Sequence, residues 1–197
     1  MTATLTRARI LDQGMDMMSQ GGLAAVTLGG LAQRVGMSKS GLFAHFKSKE
    51  AVQIALLDQS AALANRVVVA PAMTAAPGLA RLRSLVAAWL GWTRRAGLSG
   101  GCPVAAALFE LDDVEGPVRD RARSLEQVWR DLLTALVRET VEAGEFRRDL
   151  EVDQFVFELC GQYLTHHVSR RFLGDPLADR RASEAFDALV ARALPST

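Results

Sequence analysis

Cysteine is nearly missing from this 197-residue chain. Cys102 and Cys160 are its only two, too few for a disulfide framework and without the C-x-x-C spacing of structural zinc. An excess of one charge is missing too. The 23 Lys and Arg stand against 22 Asp and Glu, which argues against a protein that coats nucleic acid through bulk electrostatics. Residues 1–60 carry six basic and four acidic side chains, leaving 17 and 18 for the rest. That surplus is too small to mark a nucleic-acid binder, so position must carry the argument. No apolar run approaches the ~18 residues of a membrane span, and the run Val67 to Ala76 is interrupted by Pro71. Met1 to Asp12 holds Arg7 and Arg9 but no apolar h-region, so no signal peptide and no membrane association are expected. The expected place of work is the cytoplasm, with reduced thiols.

Catalytic signatures are absent as well. There is no GxSxG, phosphate loop, GxGxxG after a strand, or HExxH. Asp112-Asp113 falls in an expected turn and reads as capping or solvated loop. A helical enzyme, the main rival class, would need a charged or metal-bearing cleft that the chain does not advertise. His166 and His167 are adjacent and diverge by about 100° on a helix, so no shared metal is expected. No cofactor is expected either.

What the chain has in quantity is helical periodicity. Hydrophobic residues make up 49% of it, enough for a packed core, and they recur at three- and four-residue steps. A first helix is predicted over about Thr4–Ser19, with Ile10, Leu11, Met15 and Met18 inward and Gly21-Gly22 ending it. Thr27 is the expected N-cap of a short helix to Val35. Gly36-Met37-Ser38 makes a tight turn, Ser38 caps a helix to His45, and Ser48 caps one running from Lys49 toward Val69. Pro71 and Pro77 mark a break. Beyond it, helices are expected around Leu79–Leu90, Cys102–Glu110, Leu125–Val141, Val152–Leu164 and Ala185–Val190, with a loop at Gly97–Gly101. The predicted fold is all-α, about nine helices. A three-helix head spans residues 1–48, a connecting helix about 49–70, and a larger helical body 71–197.

The run from Thr27 to Lys49 has the form of a helix-turn-helix. A reading helix must be short, polar where it meets the major groove, and held rigidly by the helix behind it. Leu28, Leu31, Ala32 and Val35 pack inward, Leu42 and Phe46 anchor the reading helix, and Lys39, Ser40, Phe43 and His45 are left outward. In Leu31-Ala32, Val35-Gly36-Met37-Ser38, Ser40-Gly41-Leu42-Phe43, His45-Phe46 and Lys49-Glu50, the segment resembles the TetR family of regulators. The resemblance covers about residues 5–55 and implies a reader of double-stranded operator DNA. It places the Thr27 and Ser38 hydroxyls on phosphates, Lys39 and Ser40 at the groove, His45 facing the backbone, and Lys49 on a phosphate at a helix start. Phe43 stands where the family usually has tyrosine, removing a phosphate-binding hydroxyl. Gly29 and Gly30 each cost about 1 kcal/mol against alanine in a helix. A spare set of base contacts follows.

One head buries little DNA, so function implies a homodimer on a pseudo-palindrome. The family dimerises through its last two helices, where Leu164, Val168 and Phe172 with Ala185, Phe186 and Leu189 are the candidate faces. These residues could equally complete the monomer core. The resemblance also implies a small-molecule effector in the body, released repression being the commoner outcome. Trp89, Trp92, Cys102, Phe109, Trp129, Phe157, Tyr163 and His166 are the candidate ligand residues, soft and aromatic enough for an apolar molecule with one or two polar handles. Plain core packing is the alternative for each. Cys102, at a helix start after Gly100-Gly101, also permits a thiol-based electrophile or redox sensor. An architectural DNA protein is the remaining rival, at odds with the balanced charge and the large apolar body.

Overall fold

The structure is a computed structural model that describes residues 3–195, with side chains described from Thr6 onward. Every regular element among the described residues is helical: α1 (Ala3–Ala25), α2 (Leu28–Val35), α3 (Lys39–His45), α4 (Lys49–Ala64), α5 (Ala70–Ala72), α6 (Leu79–Trp89), α7 (Trp92–Arg95), α8 (Pro103–Glu110), α9 (Pro117–Glu142), α10 (Val152–Arg171) and α11 (Ala178–Ala193). The all-α expectation holds. Two short pieces, α5 and α7, join the longer helices that periodicity predicts. A π-helical turn, Asn65–Val69, lies between α4 and α5, and the Ala70 N–H reaches back to the Asn65 carbonyl. Pro71 follows directly on this turn inside the same helical run, where it has no N–H to return to the preceding carbonyls.

The chain divides into two compact units, each built from two stretches. The first joins Met1–Leu63 to Thr93–Glu126; the second joins Ala64–Trp92 to Gln127–Thr197. This cuts across a division drawn at Pro71, because α8 and the start of α9 pack with the head. Ala107, Val118 and Ala122 share one apolar core with Ile10, Met18, Leu31, Leu42, Leu56 and Leu57. A head of fewer than ~60 residues buries little apolar surface alone, and the borrowed segment enlarges that core.

In the second unit, α10 packs on α11, and α6 on α5 and the π turn. Leu82, Leu85, Leu133, Val137, Phe155, Leu189 and Val190 are buried there. Two carboxylates, Glu139 near the end of α9 and Glu145 in the turn just after it, hold the start of α6. Glu139 accepts the Gly78 N–H at 2.7 Å and pairs with Arg81, and Glu145 accepts the Leu79 N–H at 2.7 Å. Orphan donors of a helix N-terminus are met in this way by anionic acceptors.

Candidate functional site

The helix-turn-helix is assembled from local caps. Thr27 holds extended backbone and its Oγ1 accepts the Gly30 N–H at 3.0 Å, starting α2. Gly36 ends α2 at φ 69°, a left-handed conformation that suits glycine, and turns the chain toward α3. Ser38 Oγ accepts the Gly41 N–H at 3.1 Å and lies 2.9 Å from Ser40 Oγ. Ser48 Oγ accepts the Ala51 N–H at 3.1 Å, starting α4. Each of these caps satisfies a donor that would otherwise be orphaned.

The helices are locked from behind. Leu31, Ala32, Val35, Leu42 and Phe46 are buried. Arg7 lies over the Phe46 ring at 5.0 Å, Arg9 donates to the Val35 carbonyl, and Arg34 bonds Asp16 at 2.6 Å and Gln13 at 3.1 Å. These arginines are therefore engaged within the head. Left outward are Thr27, Ser38, Lys39, Ser40 and Lys49, all exposed, and Phe43, 46% exposed; His45 is half-buried. The Lys39 stem passes 3.1 Å from where a Cβ on Gly29 would stand, so the glycine that weakens α2 leaves room for this lysine. Beside Lys49, the exposed Glu50 carboxyl is held below its ordinary range by its own backbone N–H, by the Ser48 hydroxyl and by Lys49.

Five of the eight candidate ligand residues come together in the second unit. Trp89 stacks on Tyr163 with ring centroids 4.0 Å apart and 9° between planes, and Trp129 tilts onto Trp89 at 4.7 Å. The buried Trp92 indole donates to the Tyr163 hydroxyl at 3.0 Å. His166, also buried, contacts Asp179 at 2.8 Å through Nε2 and lies near Tyr163. The Trp129 indole N–H is buried without a hydrogen-bond partner.

The other three stand elsewhere. Cys102 and Phe109 belong to the first unit. Cys102 is a buried N-cap whose sulfur accepts the Ala105 N–H at 3.5 Å, and Phe109 is 59% exposed. Phe157 is 67% exposed, because α10 buries the stripe of Phe155, Val156, Leu159, Cys160 and Tyr163 and turns Phe157 to the far side. Aromatic character alone does not say which face of a helix a residue occupies. Of the expected dimer faces, Phe186 and Leu189 are buried within one chain, whereas Val168 and Phe172 are exposed.

Two family descriptions match the chain. "Bacterial regulatory proteins, tetR family" covers residues 10–56, which hold most of α1 through the first half of α4. "Tetracyclin repressor-like, C-terminal domain" covers residues 78–186. No curated protein matches the chain in sequence. Among solved structures, a TetR-family transcriptional regulator from Cytophaga hutchinsonii is 22% identical with a TM-score of 0.84, over 98% of this chain and 96% of that one. A transcriptional regulator from Saccharomonospora viridis in complex with choline is 21% identical with a TM-score of 0.81, over 98% and 100%. AibR in complex with isovaleryl coenzyme A and operator DNA is 21% identical with a TM-score of 0.73, also over 98% and 100%. At these identities the likeness is one of fold. The body match alone spans more than half the chain, and the head match falls on the capped helix-turn-helix. The chain belongs to the TetR family of DNA-binding transcriptional regulators.

Proposed function

We propose that this regulator is a cytoplasmic homodimeric repressor that reads a pseudo-palindromic operator and leaves it when a small apolar effector binds in the second unit. The observation that carries the reading is the rigid α2–α3 pair, with Lys39, Ser40 and Phe43 exposed on a capped, buried-backed helix. In this role the Thr27 and Ser38 oxygens cap their helices and keep their hydrogens for phosphates. Lys39 takes a base edge or a phosphate, Phe43 a thymine methyl or sugar, and His45 and Lys49 the backbone. Most of these contacts position the protein; few choose the sequence.

Dimerisation rests on a second stripe of α10. Phe157, Gly161, Leu164, Val168 and Phe172 recur at helical steps; Phe157, Val168 and Phe172 are exposed, and nothing stands within 4 Å of a Cβ added at Gly161. A second copy of the same stripe is the natural cover, since an isologous interface pairs identical faces. For the effector, the fold itself carries no preference, as its relatives were solved with ligands as different as choline and isovaleryl coenzyme A. The cluster of Trp89, Trp129 and Tyr163 favours an apolar body, and the unpartnered Trp129 N–H favours one acceptor upon it. Release requires the effector to favour the unbound state by about 1–3 kcal/mol of coupling. The buried, capping sulfur of Cys102 offers less support for thiol sensing.

Selection of bound DNA from a random pool tests the reading. The expected product is a palindrome with half-sites about one helical turn apart or a multiple of it. Absence of enrichment would sink sequence reading; a lone asymmetric half-site would sink the dimer.

A further inference from the structure

The run of α1 breaks at Gly22, where φ 72° and ψ −173° belong to a backbone region essentially reserved for glycine. Immediately after it, the Leu23 and Ala24 N–H groups both point at one side chain 86 or more residues away. Glu110, the last residue of α8, accepts them at 3.1 Å and 2.9 Å with its two carboxylate oxygens. The fit depends on glycine, since a Cβ at Gly22 would lie 1.8 Å from Glu110 Oε1. The turn so held is otherwise tightly placed. Leu23 and Val26 are buried, and Gln53 of α4 donates to the Leu23 carbonyl at 3.3 Å. The next residue is Thr27, the cap of α2.

A second grip lies one turn earlier. Ser19 Oγ accepts the Gly100 N–H at 3.1 Å, and the Ser19 carbonyl accepts the Gly101 N–H at 2.8 Å. The approach is so close that a Cβ on Gly100 would stand 1.8 Å from that carbonyl oxygen. Asp16 completes it, accepting the Ser99 N–H at 3.2 Å on one oxygen and pairing with Arg34 of α2 on the other. All of these groups belong to the first compact unit.

We propose that Glu110 is a positioning residue for operator reading: its two-oxygen clamp on Leu23 and Ala24 sets the direction in which the chain delivers Thr27 and α2 to DNA. The inference rests on α2–α3 being the DNA surface. A carboxylate suits the task because bonds from backbone N–H groups to an anionic acceptor are shorter and stronger than neutral ones, and two of them fix orientation as well as distance. The group that holds the turn ahead of α2 thus lies at residue 110, outside the stretch 1–48.

The test compares wild type with Glu110→Ala and Glu110→Gln in the full chain, at a temperature where all three are folded. Hydrogen exchange reads the clamp, and binding to a selected operator duplex, across a salt series, reads its consequence. In Glu110→Ala, exchange should quicken at Leu23 and Ala24. Operator affinity should fall about tenfold, part of what the two lost charge-assisted hydrogen bonds are worth, with the salt slope unchanged because no phosphate contact is removed. Glu110→Gln, which keeps an acceptor oxygen, should fall between. Unchanged exchange at Leu23 and Ala24 overturns the clamp. Faster exchange with operator affinity within twofold of wild type overturns the positioning role and leaves Glu110 a packing residue. Wild type that selects no DNA overturns the reading and the positioning role together, and the exchange result then stands apart as a measure of the clamp alone.

Discussion

Replacing Phe172 with alanine removes the most exposed large apolar side chain of the α10 stripe. Phe172 is 85% exposed in the single chain, so almost none of its burial has been realised on folding. Covering a phenylalanine is worth about 1.5–3 kcal/mol, and a mid-range 2 kcal/mol is a fair share for a ring that keeps one edge at the rim. An isologous interface counts each substitution twice, giving about 4 kcal/mol, or roughly a thousandfold in the dimer dissociation constant. Sedimentation velocity from nanomolar to tens of micromolar protein measures that constant directly. Far-ultraviolet circular dichroism at the same concentrations checks that the chain keeps its helices, as it should when little intrachain burial is lost. Operator affinity should fall with dimerisation and recover as protein is concentrated. A dissociation constant within threefold of wild type would refute the placement of the interface. The alternative surfaces are then those of Phe109 in α8 and Val114 in the connection that follows it, both exposed.

Three further substitutions probe the site and the cluster. Tyr163→Phe deprives the buried Trp92 indole of its acceptor and should cost about 1–3 kcal/mol in denaturant unfolding; a loss below measurement error would show that the 3.0 Å contact contributes nothing. Lys39→Ala should lower the slope of log affinity against log salt by about one if the ammonium meets a phosphate, and should instead relax one base position at nearly constant slope if it meets a base. His167→Gln addresses pH. Burial, the Arg171 charge and His166 hold the His167 imidazole below its ordinary value of 6.5. The unfolded chain therefore takes up the proton first as pH falls. The contribution of His167 is fully present above pH 6.5 and is lost as pH drops through the folded value. The variant should show a flatter stability profile in that window; an unaltered slope would contradict the half-buried imidazole with its lowered pKa.

Much of the reader was legible because helix caps and tight turns are local. Thr27, Ser38 and Ser48 cap helices through N–H groups three residues on, and Gly36 turns the chain on its own φ. No distant residue is needed to predict those contacts, and the spacing of Leu31, Val35, Leu42 and Phe46 already orients the two helices inward. The body was legible in its helices and obscure in their sides. Periodicity marked α10 as amphipathic, yet an apolar residue serves a core, a pocket or a partner with equal ease. Thus Tyr163 joined the aromatic cluster, Phe157 faced out, and Phe186 and Leu189 went to the core of one chain.

The sequence by itself determined the all-α fold, the capped helix-turn-helix and the family, since each rests on neighbours three or four residues apart. Only the tertiary structure decided which distant side chain holds the turn ahead of α2. Glu110 meets Leu23 and Ala24 across 87 and 86 positions, and nothing in the local pattern of either segment marks the other as its partner. The break at Gly22 leaves the buried Leu23 N–H in need of an acceptor. Which acceptor it is depends on the packing of α8 against α1, and chain folding alone supplies that.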